Sequence, residues 1–411
     1  MKILLVNCTF MDGSTGKIVA DTAEYYRSQG HEVVIAYGHS SNKESVFCDS
    51  NVHQIRTVAE ARLHVRLVYL GLTMLYGGMH LAYFRLRRLI KKEQPDIVHL
   101  HCINGYTVNI FRTLRFLGRS GIPTVVTHHG EFYYTGACGY SFDCLKFIDD
   151  QCRDCKSLRL ATGTNLVGYA HRSWKRMKSS FDSFAYDKLI FTAVSPWVKE
   201  RSLLSPIVNH YRCEVVRNGV NTNVFKYTPN NNLIRDKKSD IKGHILLHAT
   251  GQFCPNDKEH LKGGWYVVEL AKRMPSITFV VVATTTVIKT ALPDNMYIWG
   301  KAKDQQELAS LYSCADVTLV TSRRETFSMI VAESLCCGTP VIGFKAGGPE
   351  SIAIPEYCEF VDYGDLINLE LSIKRTILAK YDKNKLSAEA SLIYDKEIMA
   401  TSYLKIYKKL L

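Results

Sequence analysis

Glu325 and Glu333 stand eight residues apart in a stretch, Thr321 to Ile342, that reads as strand, loop, helix and strand. On one helix that spacing would be about 12 Å of rise and about 80° of rotation, so both carboxylates could line one elongated ligand. A helix beginning near Thr326 would aim free backbone N–H groups and its positive dipole end at an anion such as a diphosphate. Glutamates so spaced also decorate solvated helix faces, so the flanking residues must decide. Near the start of the chain, Gly13-Ser14-Thr15-Gly16-Lys17 follows a strand and opens a helix, a glycine turn that lets a phosphate or sugar approach the backbone. It is not a Walker loop, since position 11 is Met11 and Lys17 is followed by Ile18. It is not a dinucleotide fingerprint either, because the second strand ends in Ala36-Tyr37-Gly38 with no acid to grip a ribose. Cys138, Cys144, Cys152 and Cys155 form a C-x5-C-x7-C-x2-C set. Four thiolates suit a tetrahedral structural zinc, and packed reduced cysteines are the alternative.

The elements that position these groups repeat one pattern. Strand (Lys2 to Cys8), helix (Ile18 to Gln29) and strand (Glu32 to Tyr37) make a βαβ unit, and strand-like runs recur at Ile97 to Leu100, Thr124 to Thr127 and Leu189 to Val194. After a polar stretch from Lys226 to Lys242, taken as the interdomain region, runs at Ile245 to Ala249, Thr278 to Ala283, Met296 to Trp299, Val317 to Val320 and Val341 to Phe344 repeat it. Two parallel α/β domains result. The expected division is residues 1–210, residues 211–386, and a terminal helix, residues 387–411, that must find a surface to pack on.

Composition narrows the partners. The chain has 411 residues and a formal charge of +13, with 26 Lys+Arg against 17 Asp+Glu in residues 1–210. Between Arg56 and Lys92 eight basic residues accompany a single acid, Glu60, interleaved with Leu, Val, Tyr and Phe, and a second basic cluster holds Arg172, Lys175, Arg176 and Lys178. That pattern suits an anionic bilayer or phosphorylated ligands, or a solvated basic face over domain core. No base-reading module accompanies it, so nucleic acid is not expected. The start is too short an apolar run for a signal peptide, and thirteen cysteines without an export signal fit a reducing compartment. The longest apolar stretch, Leu67 to Phe84, is interrupted by Gly71, Gly77, Gly78 and His80, so no transmembrane segment is expected. The location expected is cytoplasmic, with peripheral contact at the inner membrane face.

With its flanks, the Glu325 to Glu333 stretch resembles the E-x7-E element of the retaining glycosyltransferases of family 4, and Gly338-Thr339-Pro340-Val341 resembles the helix stop and strand that follow it. Pro95-Asp96-Ile97-Val98-His99-Leu100-His101 and Thr127-His128-His129-Gly130 resemble two further family elements, with Gly130 where the family has Asp. Val194-Ser195 and Asn218-Gly219-Val220-Asn221 resemble a strand-end serine and the interdomain hinge, and the Cys-bearing segment is similar to one in exopolysaccharide-building branches of the colanic-acid type. The resemblance implies the GT-B architecture, two Rossmann-like domains facing across a cleft, with the terminal helix returning to the first. It implies a nucleotide diphosphate sugar donor and a glycan or polyprenyl diphosphate-linked oligosaccharide acceptor, with the nucleotide sugar on the second domain and the acceptor on the first. By the same resemblance Glu325 holds donor-sugar hydroxyls, Glu333 holds the ribose, and the amides of Thr326, Phe327 and Ser328 sit near the phosphates. Gly251 and Lys262-Gly263 resemble the phosphate segment, with Lys262 the cation for the departing diphosphate, and His129 stands near the reacting centre. Gln252 stands where the family usually has Arg, leaving Lys258 or Arg323 to complete the clamp. Gly13 and Gly16 belong with the donor residues. No metal is needed for the transfer. Readings of other classes are a sugar-nucleotide epimerase or phosphorylase on the same architecture, or a catalytically silent glycan- or nucleotide-binding subunit.

Overall fold

The computed structural model of the protein describes residues 1–40, 50–239, 241 and 243–411. It comprises two compact units, Met1–Arg217 with Met399–Leu411, and Asn218–Ile398. The first is built on β1 (Lys2–Thr9), β2 (Glu32–His39), β3 (Val52–Gln54), β4 (Ile97–Leu100), β5 (Thr124–His128), β6 (Leu189–Ala193) and β7 (Arg212–Val215). These pair in parallel in the order β3-β2-β1-β4-β5-β6-β7. Ile3, Leu4, Leu5 and Val6 are all wholly buried, as are Leu189, Ile190 and Phe191. A strand covered on both faces by helices needs such an unbroken apolar run.

The second unit repeats the plan with β8 (Ile245–Phe253), β9 (Thr278–Thr286), β10 (Met296–Gly300), β11 (Val317–Val320), β12 (Val341–Phe344) and β13 (Cys358–Val361), all parallel, in the order β10-β9-β8-β11-β12-β13. Its core joins Leu246, Phe279, Val281, Leu319, Ile342 and Phe344 from the strands to Val267, Leu270, Leu369 and Ile373 from the covering helices. The fold is α/β, two Rossmann-like units of the GT-B class. In each sheet the strand order reverses once, between β1 and β4 and between β8 and β11. Loops leaving the carboxyl ends of strands diverge there and leave room for a ligand.

Three expected boundaries move. The first unit extends past residue 210 because β7 completes its sheet against β6, with Ile190 to Ala193 paired to Arg212 to Val215. The polar stretch from 226 to 242, of which 240 and 242 lie outside the described residues, belongs wholly to the second unit. The segment from 387 is not one helix: Lys383–Tyr394 packs on Met329–Cys336 within the second unit, and only Lys396–Leu410 supplies the return. Tyr403 and Tyr407 of that helix are fully buried in the first unit. Tyr407 Oη lies 2.6 Å from His99 Nδ1, and Tyr403 Oη lies 3.3 Å from Thr127 Oγ1. The apolar stretch from Leu67 to Phe84 is divided between helices Val58–Tyr69 and His80–Glu93, and among the described residues no helix is long and apolar enough to cross a membrane.

Candidate functional site

In the second unit the loops after β8, β11 and β12 converge at the point where the strand order reverses. Lys262 Nζ forms an ion pair of 2.6 Å with Glu325 Oε1, the lysine side chain 29% exposed and the glutamate 13%. Two hydrogen bonds fix the two loops to each other: Arg323 N–H donates to the Leu261 carbonyl at 2.8 Å, and the Thr321 hydroxyl donates to the Lys262 carbonyl at 3.2 Å. Gly263 makes that approach feasible. Its φ is +65°, and a Cβ there would lie 2.0 Å from the Thr321 carbonyl oxygen. Glu325 is held from the other side, its N–H donating to Ala346 O at 3.0 Å while its carbonyl accepts from Gly348 N–H at 2.9 Å.

The helix after β11 is Met329–Cys336, capped by Ser328 at φ +75°. The expectation of a helix from Thr326 is therefore corrected: Glu325 lies on the loop, and the helical rise and rotation between Glu325 and Glu333 do not apply. The cause is the packing of the next loop, for a Cβ on Gly348 would fall 2.4 Å from the Thr326 carbonyl carbon and 2.5 Å from Phe327 N. That contact holds Thr326 and Phe327 in a non-helical bend against Gly347-Gly348. Ser328 Oγ is buried with no hydrogen-bond partner among the described residues. Glu333 sits in the second turn and accepts from Tyr312 Oη at 3.3 Å. The arrangement presents one ammonium, two carboxylates and a helix N-terminus, groups suited to a ligand that carries both phosphate and hydroxyls.

Gly251 and Gln252 lie at the exposed end of β8, where Gln252 Oε1 is 3.3 Å from His260 Nε2. The two suggested replacements for the missing arginine are engaged elsewhere: Lys258 Nζ sits 4.9 Å from the Trp265 ring centroid, and Arg323 pairs with Glu259 at 3.3 Å.

In the first unit, Gly13 (φ +63°) opens the helix Gly13–Ser28, and Gly16 lies in its first turn, where a Cβ would meet Thr9 Oγ1 at 2.8 Å. His129 follows β5, its Nε2 3.1 Å from His101 Nδ1 and its ring stacked on that of His101. His99 Nε2 is 2.7 Å from Thr127 Oγ1, so the three imidazoles form a column whose far end is Tyr407. Burial holds His129 and the neighbouring His128 down at about 3, so both rings are neutral at pH 7. A neutral imidazole at a strand end can share a proton with a ligand hydroxyl without adding charge.

The four cysteines considered for zinc or for reduced packing lie close together in the first unit. Cys138, Cys144, Cys152 and Cys155 are near enough to oppose one another's ionisation, and burial with its neighbours pushes the Cys152 thiol up to about 12. Yet Cys144 is exposed, the Cys152 thiol donates to the Thr135 carbonyl at 3.4 Å, and among the described residues no group of three or more His, Cys, Asp or Glu could hold a metal ion. What anchors the segment is charge: Arg201 Nε donates to the wholly buried Glu131 at 3.0 Å, and its Nη2 donates to Ser141 Oγ and to the Phe142 carbonyl, both at 2.7 Å.

Two features escape the sequence reading. One is the Gly347-Gly348 loop that shapes the Glu325 cradle, signalled only by the run Ala346-Gly347-Gly348-Pro349-Glu350, in which Glu350 accepts from the N–H groups of Ala346 and Gly347. The other is a groove between helices His80–Glu93 and Ile110–Ser120, lined by Tyr83, Phe84, Phe116 and the four arginines 87, 112, 115 and 119. Arg112, Arg115 and Arg119 fall on one helical face by their spacing of three and four. Among the described residues none of the four guanidinium groups is paired with a carboxylate.

Known proteins share this organisation. Residues 15–224 match the family model described as Glycosyltransferase Family 4, and residues 284–388 match that described as Glycosyl transferases group 1. WcaC of Escherichia coli K12, named for glycosyl transfer in colanic acid biosynthesis, is 19% identical over 433 aligned positions covering 100% of both chains. A D-inositol 3-phosphate glycosyltransferase of Streptosporangium roseum is 33% identical over 159 residues, 33% of this chain and 35% of that one. Among solved structures, sucrose-phosphate synthase of Thermosynechococcus elongatus superposes with a TM-score of 0.70 at 16% identity, covering 100% of this chain and 99% of that one. HepE of Anabaena, in complex with UDP, gives 0.67 at 14% identity, covering 99% and 100%.

Proposed function

Because this chain belongs to glycosyltransferase family 4 and is a glycosyltransferase, we propose that it transfers a hexose from a nucleotide diphosphate sugar to a glycan or polyprenyl diphosphate-linked oligosaccharide, with retention, in cell-surface polysaccharide synthesis. The observation that carries this reading is the Lys262–Glu325 pair, held where the strand order of the second sheet reverses. Glycosyl transfer passes through an oxocarbenium-like state, with positive charge growing on the ring and negative charge on the leaving diphosphate. Lys262 and the N-terminus of Met329–Cys336 supply the cationic side. Glu325, released from Lys262 as the ammonium turns to phosphate, takes the sugar hydroxyls, and Glu333 takes the ribose. His129, neutral and at a strand end, is placed to hydrogen-bond a hydroxyl at the reacting centre, with the leaving phosphate taking the acceptor's proton. UDP bound to HepE and the name of WcaC support a uridine nucleotide and an exported glycan.

The groove of unpaired arginines supports a working position at the cytoplasmic face of an anionic membrane, where a lipid-linked acceptor resides. Phe84, which lines it, and Leu81, three residues earlier on the same helix, are 50% and 57% exposed, so apolar side chains accompany the cationic ones.

The test is a thermal-shift screen of nucleotide diphosphates and sugar nucleotides on the full chain, followed by transfer assays with the best donor. The expected result is a raised melting temperature with one nucleotide class and transfer that falls in Lys262→Ala, Glu325→Ala and Glu333→Ala. Unchanged turnover in all three variants would overturn the reading, and isomerised donor without transfer would replace it with an epimerase.

A further inference from the structure

Cys8 and Cys102 leave the carboxyl ends of β1 and β4, the two strands between which the order of the first sheet reverses. The Cys8 N–H donates to the Cys102 carbonyl at 2.6 Å. A direct backbone contact of this kind puts two Cα atoms within the range of about 4.4–6.8 Å that a disulfide spans. The two residues lie side by side across the β1–β4 seam, close enough for their thiols to influence each other's ionisation, and both are partly exposed. The surroundings favour a thiolate: Arg56 is close enough for its charge to interact with Cys8, and the Thr15 hydroxyl lies near the Cys8 sulfur. Cys102 is held ready, its S–H donating to Asn104 Oδ1 at 3.0 Å and its N–H to Asn7 Oδ1 at 3.0 Å. Among the described cysteines, Cys144 is the exposed one.

We propose that Cys8 and Cys102 are a reversible dithiol–disulfide modification site, whose co-reactant is a low-molecular-weight disulfide. The Cys8 thiolate attacks one sulfur of the small disulfide, forming a mixed disulfide and expelling one small thiolate. Cys102, losing its proton, then attacks the Cys8 sulfur and expels the second. Two protein thiols are oxidised, one small disulfide is reduced to two small thiols, and the two protons from the protein end on them. Nucleophile and resolving thiol are thus both present, and burial of one beside a cation near the other sets their order. Asn7 also donates to Thr9 O at 2.8 Å and to Thr15 Oγ1 at 3.3 Å, so a covalent link at this point tightens the turn that opens the helix at Gly13. At neutral pH Cys8 is held down at about 7, which keeps it reactive under mild conditions.

The experiment incubates the full-length protein in glutathione buffers of graded oxidised-to-reduced ratio, blocks remaining thiols with N-ethylmaleimide at low pH, and digests with trypsin without reduction. Residues 3–17 and 93–112 are tryptic peptides with one cysteine each, Cys8 and Cys102. The expected result is these two peptides joined, lighter by two hydrogens than their sum, at a yield at least tenfold above any other pair. Dithiothreitol should abolish the product, and it should be absent from Cys8→Ser and Cys102→Ser. Glutathione on Cys144 while Cys8 and Cys102 remain alkylated as free thiols would overturn the proposal. So would a persistent mixed disulfide on Cys8 that Cys102 never resolves.

Discussion

Lys262 Nζ and Glu325 Oε1 lie 2.6 Å apart although 63 residues separate them in sequence, because the Gly263 loop and the Thr321 loop leave neighbouring strands at the reversal of strand order. For a part-buried ion pair desolvation offsets much of the attraction, so its net contribution to stability is modest. On the proposed reading its value is positional: each charge holds the other at the strand-order reversal for a ligand to divide. Lys262→Ala should therefore lower kcat about a hundredfold, the order of effect of removing one preorganised electrostatic donor, with the melting temperature nearly unchanged. Lys262→Arg should restore part of the rate. Steady-state kinetics beside thermal melts check this, and equal losses in stability and rate would contradict it.

Gly263→Ala should behave in the opposite manner. A Cβ 2.0 Å from the Thr321 carbonyl oxygen, at φ +65°, cannot be accommodated without moving one loop. Strain of this kind costs on the order of 1–3 kcal/mol, and more where the backbone neighbour cannot yield. Urea denaturation should show the loss, with nucleotide-induced stabilisation weakened in the same variant.

How much of this was legible beforehand depended on range. The runs Ile97 to Leu100, Val317 to Val320 and Val341 to Phe344 coincide with β4, β11 and β12, because a strand buried on both faces writes its apolar character continuously into the sequence. The short β3, β7 and β13 are half-exposed edge or near-edge strands with mixed residues, and they carry no such mark. Glu325 and Glu333 are visible as a pair, but the start of the helix between them is not, since the bend at Thr326 and Phe327 is set by Gly348, over twenty residues away. The groove arginines were hidden for a similar reason: Arg87 lies in one helix and Arg112, Arg115 and Arg119 in another, and only packing brings them together.

Arg201 and Glu131 make a test of buried charge. Glu131 is wholly buried, and Arg201 bonds to it and stacks on Phe147 and Trp197 at 5.5 Å from each ring centroid. Arg201→Met should cost about 3–5 kcal/mol by stranding the carboxylate, whereas the double variant Arg201→Met with Glu131→Gln should recover much of it. Limited proteolysis should show earlier cleavage within residues 138–155 in the single variant than in the double.

His128 offers a prediction on pH. Both ring nitrogens are buried without hydrogen-bond partners among the described residues, and the ring stacks on Phe191 at 5.0 Å. Burial keeps the imidazole at about 3 in the folded chain against an ordinary 6.5. Between those values the unfolded chain binds a proton that the folded chain refuses, so stability is full above pH 6.5 and is lost as pH falls towards 3. The slope is up to about 1.4 kcal/mol per pH unit for this one group. His128→Phe removes the unpaired nitrogens while keeping the stacked ring, and should raise stability at pH 7 by about 1 kcal/mol and flatten its acid dependence. Denaturant midpoints at pH 7.5, 6.5 and 5.5 for both proteins decide the matter, and parallel curves would refute it.

The arginine groove yields the last prediction. Three arginines on one helix face, with a fourth, Arg87, stacked over Phe116 at 5.5 Å from its centroid, repel one another unless an anion lies between them. Each basic residue near an anionic bilayer is worth about 1 kcal/mol. The triple variant Arg112→Gln, Arg115→Gln, Arg119→Gln should therefore bind vesicles containing anionic phospholipid about 3 kcal/mol more weakly, while turnover on a soluble acceptor stays the same. Because glutamine keeps the helix and its apolar face intact, melting temperatures should match within a few degrees. Sedimentation with anionic and with purely zwitterionic vesicles, at low and at physiological salt, separates the two components: loss confined to anionic vesicles at low salt marks a charge contact, whereas equal binding of both proteins to all vesicles removes the groove from any membrane role.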